Sequence, residues 1–492
     1  MNVNPITRLD YPDPDVIRVE DTYYMVSTTM HFMPGCEILQ SFDLVHWEHV
    51  TYVYETLDHT DAQQLKSGQN IYGQGMWAAS LRYHEGRFCI CFVANDTRKT
   101  YLYTSEKIDG PWKKQLIEGF YHDGSLLFDE DGRNYIVYGN DEIWITELNE
   151  DLTAPKKDGL HRLLVSDHKN PELGYEGSHI QKINGYYYIF LIHSLRDRWM
   201  RTEACFYSDS LEGEFTGGDV LCDDRGYCGQ GVAQGGIVDT PDGKWYAMLF
   251  QDSGAVGRIP ILLPVTWKDH FPFFGQNGHV PEEIEVHSTR PGYIYQPLVG
   301  SDDFCNGLLP RWQFNHDPDP RYYHLDALQG TYTITTREVC TELTQAVNTL
   351  TQRMSYPSCA AEVTVDASAL KEGDVAGLCA LQSCYAAVGI TKHHGKYEVL
   401  MLDKKEDGIL DMTERTVVES HQMDFRLEAD FCNMKDEARC YYRVNKGDWL
   451  PIGTVHKLYF KLDHFTGCRF GLFCYAAEET GGSACFRDFK YY

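Results

Sequence analysis

Three acidic residues occupy the same position of a repeated segment, and their side chains are the ones best suited to chemistry. Each copy of the segment has a small or acidic start, a short apolar strand, a turn with Asp, Asn or Gly, and an aromatic-rich strand. The first copy spans residues 11–27, and the pattern returns four more times at intervals of 45 to 65 residues. The copies start at Asp13, Ala78, Asp123, Glu176 and Gln234.

Carboxyl groups placed in this way can hydrolyse a glycosidic bond. One carboxylic acid protonates the leaving oxygen and a second activates water or attacks directly, while a third can raise the pKa of the proton donor by like-charge repulsion. Taken singly, Asp13 and Asp123 fit turns and Glu176 fits a solvated surface. Carboxylates are expensive to bury together, so their shared repeat position predicts an active site. Glu176, with the longest side chain, suits the acid.

The spacing and composition of the repeats indicate the elements that position these acids. Repeats of roughly 40 to 50 residues or a little more, made of strands and Gly-rich turns, are typical of β-propellers. Five copies predict five blades over residues 1–300. Because equivalent positions of a propeller converge on its axis, the starting residues should face one cavity.

The remainder of the chain predicts a second all-β domain. Residues 271–300 are rich in Pro, Gly and acidic residues and are predicted to form a connector. Beyond it, alternating short strands and turns predict a β-sandwich over 301–492. Its predicted strands are 332–335, 361–365, 387–391, 397–402, 439–444, 458–462 and 484–489.

Composition excludes several partners. The formal net charge of −28 argues against nucleic acid and anionic membranes, which require basic patches. No apolar run of 18 residues is present, and the first residues, Met-Asn-Val-Asn-Pro-Ile, do not resemble a signal peptide. The 16 cysteines are scattered without Cys-x-x-Cys pairs and are expected to be reduced. A cytoplasmic location is therefore expected.

Several motifs together resemble glycoside hydrolase family 43, over nearly the whole chain. They are Tyr-Pro-Asp-Pro-Asp-Val from 11, Gly-Met-Trp-Ala-Ala-Ser from 75, Asp-Gly-Ser-Leu-Leu-Phe-Asp from 123, Tyr-Glu-Gly-Ser-His-Ile from 175, Gln-Gly-Gly-Ile-Val-Asp-Thr-Pro-Asp-Gly from 234 and Gly-Arg-Ile-Pro from 257. The resemblance implies five-bladed propeller enzymes acting on xylan and arabinan side chains and ends. Residues 343–353 resemble the concanavalin-like sandwich of the family's β-xylosidases.

The resemblance also implies roles for individual residues. Asp13 would be the general base, Asp123 the pKa modulator and orienter, and Glu176 the general acid of an inverting reaction. Arg258 would bind substrate hydroxyls near the acids. Phe32 and Trp77 are either core aromatics or sugar platforms, and Gln234 is a further candidate for substrate binding.

This chain departs from the family pattern at a residue that helps to bind calcium. Many family members have a fifth-blade histidine that helps to hold a central Ca²⁺, whereas this chain has Ala233 or Gln234 there, depending on the register. No cofactor is expected to be required. Oxygen ligands and waters could still bind Ca²⁺, so a structural ion stays open.

The sequence therefore predicts an exo-acting glycosidase that releases terminal β-D-xylose from short xylo-oligosaccharides. In related enzymes the sandwich packs over the propeller mouth, which would leave a pocket for one terminal sugar. The alternative is an α-L-arabinofuranosidase, and a remoter one is an inactive sugar-binding protein, against which the full set of three acids argues. The oligomeric state, a homo-oligomer included, is left open.

Overall fold

A computed structural model describes residues 2–492, which are built almost entirely of β-strands. Within this range the helical segments are short 3₁₀ turns at Lys66–Gly68, Gly254–Val256, Leu343–Gln345 and Cys432–Met434. None of the described helices is long and apolar enough to cross a bilayer. Five four-stranded sheets are followed by a pair of larger sheets, so the predicted all-β propeller and sandwich are confirmed.

The propeller is assembled from consecutive antiparallel strands. After β1 (Asn2–Val3), blade one contains β2 (Asp15–Val19), β3 (Thr22–Val26), β5 (Gly35–Ser41) and β6 (Glu48–Tyr54), with β4 (Phe32–Met33) inserted between its second and third strands. Blade two contains β7 (Ser80–His84), β8 (Arg87–Ala94), β9 (Lys99–Ser105) and β10 (Lys113–Ile117). Blade three contains β11 (Ser125–Phe128), β12 (Asn134–Asn140), β13 (Glu142–Leu148) and β14 (His161–Ser166).

The last two blades follow the same plan. Blade four contains β15 (Glu176–Ile183), β16 (Tyr186–Ser194), β17 (Arg201–Ser208) and β18 (Thr216–Leu221). Blade five contains β19 (Val232–Asp239), β20 (Trp245–Asp252), β21 (Arg258–Lys268) and β22 (Phe271–Phe274), after which β23 (Glu283–Ile284) pairs with β1. The predicted connector therefore starts too early, because its first four residues are the outer strand of blade five.

The innermost strands of the five blades form a closed ring. Strands β2, β7, β11, β15 and β19 each contact the next in this order, and β19 contacts β2. The first hairpin of a blade is fixed by its turn: Asn184 and Gly185 have φ of 50° and 84°, which a type I′ turn requires. Since the innermost strands run in the same direction around the axis, the residues that start them meet at one mouth.

The C-terminal domain has two antiparallel sheets that enclose an apolar core. Its strands are β24 (Gln313–Asn315), β25 (Tyr323–Asp326), β26 (Thr331–Thr335), β27 (Leu350–Arg353), β28 (Ser358–Asp366), β29 (Val375–Leu381), β30 (Ala386–His393), β31 (Lys396–Lys404), β32 (Leu410–Val418), β33 (Gln422–Asp430), β34 (Glu437–Arg443), β35 (Leu450–Lys457), β36 (Arg469–Tyr475) and β37 (Ser483–Tyr491). One sheet has the order β32-β31-β30-β29-β36-β27-β24-β4 and the other β25-β26-β37-β28-β33-β34-β35. Strand β4, which is inserted in blade one, thus forms the edge strand of one sandwich sheet and pairs with β24.

The predicted strand at residues 458–462 is wrong. The sheet strand ends at Lys457, and residues 458–468 form a loop that leaves the sandwich towards the propeller. Its far end is attached there, because the Gly467 amide donates to Asp10 Oδ2 at 2.8 Å and the Cys468 amide to the Ala255 carbonyl at 2.8 Å. We call this segment the 458–468 loop.

Buried charged residues join the two domains. Arg353 of the sandwich forms an ion pair with Glu37 of blade one at 2.8 Å, and its Nε donates to the Asp10 carbonyl at 2.9 Å. The Arg469 guanidinium lies 3.4 Å from the centre of the Phe32 ring. Arg469 is buried, and burial, followed by the charge of Arg353, lowers its pKa to about 9. The sandwich is therefore fixed over one mouth of the propeller.

Candidate active site

Two of the predicted acids and Gln234 enter their blades with an unusual backbone. Asp13, Asp123 and Gln234 have φ of 53°, 47° and 58°, the left-handed region that non-glycine residues rarely adopt. In blade four the corresponding turn is made by Gly177, with φ of 64°. A Cβ on Gly177 would lie 2.7 Å from Cγ of Gln234, so a side chain there would have to displace Gln234 as well as adopt a positive φ. Strained backbone of this kind is concentrated at functional sites.

Asp13 is held by two donors. Its carboxyl is buried, Thr28 Oγ1 donates to Oδ2 at 2.5 Å, and Arg258 Nη1 donates to Oδ1 at 3.1 Å. Arg258 starts β21 and is itself only 2% exposed. A positive charge and a hydroxyl therefore orient this carboxylate at the mouth of the propeller.

Asp123 and Glu176 lie together on the neighbouring blades. The Gly177 amide donates to Asp123 Oδ2 at 3.1 Å, which ties this carboxylate to the residue that follows Glu176. Glu176 Oε2 accepts a hydrogen bond from Asn140 Nδ2 at 2.7 Å, and the Glu176 side chain is 19% exposed. The carboxyl that reaches the solvent is thus the predicted proton donor.

His122 lies between these two carboxyl groups. Its Nε2 is 3.5 Å from Glu176 Oε2 and 3.6 Å from Asp123 Oδ2. The negative charge of Asp123, followed by the hydrogen bond and charge of Glu176, raises the pKa of His122 to about 9 in spite of its burial. Burial raises the pKa of Asp123, the charges of Glu176 and Asp13 add to this, and His122 opposes it.

The predicted substrate-binding residues are placed differently from one another. Arg258 and Trp77 are in the site, the indole of Trp77 being 5.9 Å from the His122 ring between centres. Gln234 is buried at its fifth-blade position, where its backbone N–H donates to Glu203 Oε2 at 2.7 Å. Phe32 lies under Arg469 and is 2% exposed, so it has little surface left for a sugar.

Phe465 of the 458–468 loop is a site residue that the sequence did not indicate. Its ring centre lies 4.3 Å from the Arg258 guanidinium carbon and 5.6 Å from the Trp77 ring, and its carbonyl accepts from Arg258 Nη2 at 3.3 Å. The sandwich thus covers the catalytic mouth with an aromatic ring. Thr28, Asn140 and His122 were also missed, although the adjacency of His122 to Asp123 was a visible signal.

The groups in the central channel do not fit a calcium ion. Asp15 uses its carboxylate on Arg82 Nη1 at 2.7 Å, on the Leu81 amide at 2.7 Å and on His179 Nδ1 at 3.1 Å. Arg82 also donates to the Leu126 carbonyl of blade three and the Ile180 carbonyl of blade four. The Arg82 guanidinium of blade two thus contacts three other blades and places positive charge in the channel.

The described residues contain one group of three ligand atoms within 4.8 Å of one another, formed by His122, Asp123 and Glu176. The negative charges of Asp123 and Glu176 raise the pKa of His122 to about 9 and so favour the protonated imidazole, from which a metal would have to displace the proton. We therefore interpret this group as an acid–base cluster.

The other end of the channel opens into a cavity of about 480 Å³. Its charged lining is already paired: Arg18 with Asp239 at 2.5 Å, and Lys182 with Asp129 at 2.6 Å. None of the three predicted acids lines it. The three predicted acids thus lie at the opposite mouth, beneath the sandwich.

Comparison with known families agrees with this geometry. The model described as glycosyl hydrolases family 43 matches residues 3–272, and the model of the beta xylosidase C-terminal concanavalin A-like domain matches 301–492. The chain belongs to glycosyl hydrolase family 43. The chain is therefore a glycosidase.

Individual relatives span both domains. A beta-xylosidase of Formosa agariphila is 27% identical over 542 residues, covering 98% of this chain and 88% of the relative. A solved bifunctional GH43-CE protein of Bacteroides eggerthii is 42% identical with a TM-score of 0.93, and this chain, covered completely, spans 63% of that one. A GH43 enzyme engineered to display both endo-xylanase and exo-arabinofuranosidase activity is 27% identical with a TM-score of 0.88, covering 100% of this chain and 99% of its own.

Proposed function

We propose that this family 43 enzyme removes single terminal β-D-xylose residues from xylo-oligosaccharides, with inversion at the anomeric carbon. The observation that carries the proposal is the aromatic cover over the acids: Phe465 stands against Arg258, which in turn holds Asp13. A covered mouth accommodates the end of a chain better than its middle. The similarity to a beta-xylosidase along nearly the whole chain supports the sugar.

The geometry suggests how the hydrolysis would proceed. Asp13, oriented by Arg258 and Thr28, takes a proton from the water that attacks the anomeric carbon. The bond from that carbon to the leaving oxygen breaks as Glu176 gives its proton to the oxygen. Asp123 acts on Glu176 through its negative charge and through its hydrogen bond to the Gly177 amide.

An α-L-arabinofuranosidase is the second candidate. It is favoured by the likeness to the engineered enzyme with exo-arabinofuranosidase activity, which has the same fold at 27% identity. A β-xylose and an α-arabinofuranose present similar hydroxyl geometry around the scissile bond, so none of the named residues distinguishes the two sugars. The two functions differ in the ratio of kcat/KM for the two substrates.

The decisive experiment measures product release by the purified chain. We expect xylose from xylobiose and p-nitrophenol from the β-D-xyloside, with slower release from the α-L-arabinofuranoside. Faster release of arabinose would make the second candidate the main function. Binding of sugar without release from any of the three would instead support a receptor, and rapid internal cleavage of polymeric xylan would contradict the exo mode.

The mechanism has its own test. Asp13→Asn should abolish turnover, because water then has no base. Glu176→Gln should abolish it on xylobiose but be milder on glycosides with good leaving groups, which need little protonation. An inverting site leaves about 6.5 to 9.5 Å between base and acid for water, so the first product seen by NMR should be α-xylose. A first product with the β-anomer would rule out inversion.

A further inference from the structure

The sandwich covers the catalytic mouth unevenly. The 458–468 loop reaches the propeller on the side of blades five, one and two, where Phe465 contacts Arg258 of blade five and Trp77, which precedes blade two. In the closed ring of inner strands, blades three and four lie opposite to blade one. The side chain of Asp13, before blade one, is 8% exposed, and that of Glu176 in blade four is 19% exposed. The more open side of the mouth is therefore that of blades three and four.

The leaving group of the substrate must lie on this open side. Glu176 gives its proton to the oxygen that leaves, so the sugar attached to that oxygen lies beside Glu176. Asn140, which donates to Glu176 Oε2 at 2.7 Å, is itself exposed at the rim of blade three. Residues that hold a leaving sugar are therefore expected on the loops of blades three and four at this end of the propeller.

Blade four has a tryptophan on such a loop. Glu176, the first residue of β15, pairs with Ile192 near the end of β16, so the loop of residues 195–200 that follows β16 lies at the same end as the acid. Among the tryptophans of residues 2–492, Trp199 of this loop is the most exposed, at 45%. An exposed indole thus stands on the side of the mouth where the leaving group lies.

The backbone around Trp199 is fixed by hydrogen bonds across the loop. The Leu195 N–H donates to the Met200 carbonyl at 3.1 Å, and the Met200 N–H donates to Ser194 Oγ at 2.7 Å. These bonds join the two ends of the loop. The indole is therefore presented from a defined turn.

A series of stacked groups connects Trp199 to the active site. The Arg201 guanidinium carbon lies 5.3 Å from the centre of the Trp199 ring and 5.2 Å from that of the Phe250 ring. The Arg258 guanidinium carbon lies 5.5 Å from the same Phe250 ring. The side chain of Arg201 is 9% exposed and pairs at 2.7 Å with Asp252, which is opposite Arg258 in the β20–β21 pair. Single exposed aromatic residues are common on protein surfaces, but this one rests on a buried cation next to the site.

We propose that Trp199 binds the leaving-group part of the substrate, by stacking of its open face on the apolar C–H face of a neutral xylose ring beyond the scissile bond. The inference rests on the proposed function. Arg201 lies over one face of the indole, and the exposed remainder is free for a sugar. An aromatic ring offers a large apolar contact surface that requires no charge on its partner. The terminal xylose then lies under Phe465, and the sugar that leaves with the acid's proton lies on Trp199.

The test compares Trp199→Ala with the wild-type enzyme on substrates that differ in their leaving group. Xylobiose, xylotriose and xylotetraose have sugars as leaving groups, whereas methyl β-D-xyloside has methanol. We expect kcat/KM to fall about 10-fold on the three oligosaccharides and to change less than about twofold on methyl β-D-xyloside. Trp199→Phe should recover part of the loss. Tyr83→Ala is the matched control, because Tyr83 is also 45% exposed but lines the cavity at the other end of the channel, and it should behave as the wild type.

The outcomes separate a binding role from a structural one. An equal loss on methyl β-D-xyloside and on the oligosaccharides would show that Trp199 acts only by supporting Arg201 and Arg258, and would overturn the proposal. Unchanged kcat/KM on all four substrates would overturn it as well. In both cases the wild-type enzyme is active and the proposed function stands. A wild-type enzyme that hydrolyses none of the four would contradict the proposed function and this inference with it.

Discussion

Replacing Phe465 by alanine tests whether the sandwich completes the active site. The ring lies 4.3 Å from the Arg258 guanidinium and 5.6 Å from Trp77 between ring centres. A partly desolvated cation–π contact contributes about 1 to 2 kcal/mol and an aromatic pair about 0.5 to 1.5 kcal/mol. If about 2 kcal/mol of these interaction energies serves to position Arg258 and the terminal sugar, the loss of the Phe465 ring should lower kcat/KM about 30-fold.

The assay is kcat/KM on xylobiose, xylotetraose and soluble xylan for the Phe465→Ala enzyme. The loss should be greatest on xylobiose, and the ratio of polymer to xylobiose activity should rise, since the mouth is then less covered. Phe460→Ala is the control: Phe460 packs on Phe465, with 5.9 Å between ring centres, and belongs to the same loop. It removes a similar apolar surface without touching Arg258.

Two results would refute this reasoning. Unchanged kcat/KM on xylobiose, with an intact fold by circular dichroism, would show that the ring contributes nothing to the site. An equal loss in Phe460→Ala would show that the loop as a whole, rather than the ring of Phe465, is responsible.

Three further predictions concern charge and metal. Asp123→Asn removes the negative charge that acts on Glu176, so kcat should fall about 10²-fold or more. Because burial disfavours the ionised form of Asp123, the melting temperature of this variant at pH 7 should stay level or rise, and a clear fall would contradict the reasoning. Although burial opposes it, Arg353 and His49 lower the pKa of Glu37 to about 2 from 4.5. The stability that Glu37 gains from Arg353 is therefore present above about pH 4.5 and is lost as the pH falls towards 2. Glu37→Gln should be less stable than the wild type at pH 7 by about 3 to 5 kcal/mol. In calorimetry, its melting temperature should fall less steeply with decreasing pH. Dialysis against EDTA should leave kcat on xylobiose unchanged, because Arg82 carries the positive charge of the channel; recovery of lost activity with Ca²⁺ would disprove this.

The blades and the position of the acids could be read from the sequence because both depend on local pattern. Each blade is made of consecutive strands, so the alternation of side chains and the turn residues repeat within one stretch of chain. Four of the five predicted starts lie at or just before an innermost strand, as Asp13 does before β2 and Asp123 before β11, and Gln234 is the third residue of β19. Motifs at these starts were also enough to indicate the family.

The covering of the site could not be read in this way. Residues 458–462 have the apolar character of a strand, but the chain leaves the sheet there, because Gly467 and Cys468 bond to the propeller. That choice depends on partners more than 200 residues away, Asp10 and Ala255. Irregular loops have no period that a sequence could display, so Phe465 was missed.

The tertiary structure also decided the roles of single residues. Phe32 in the first loop and Trp77 beside the repeat start at Ala78 are both aromatic, yet Phe32 is buried under Arg469 and Trp77 lies beside His122 in the site. The protonation of His122 depends on Asp123 beside it and on Glu176 from another blade. Residue types and their spacing determined which groups are present, whereas burial and charge in three dimensions determined what each group can do, because both depend on neighbours that are distant in the chain.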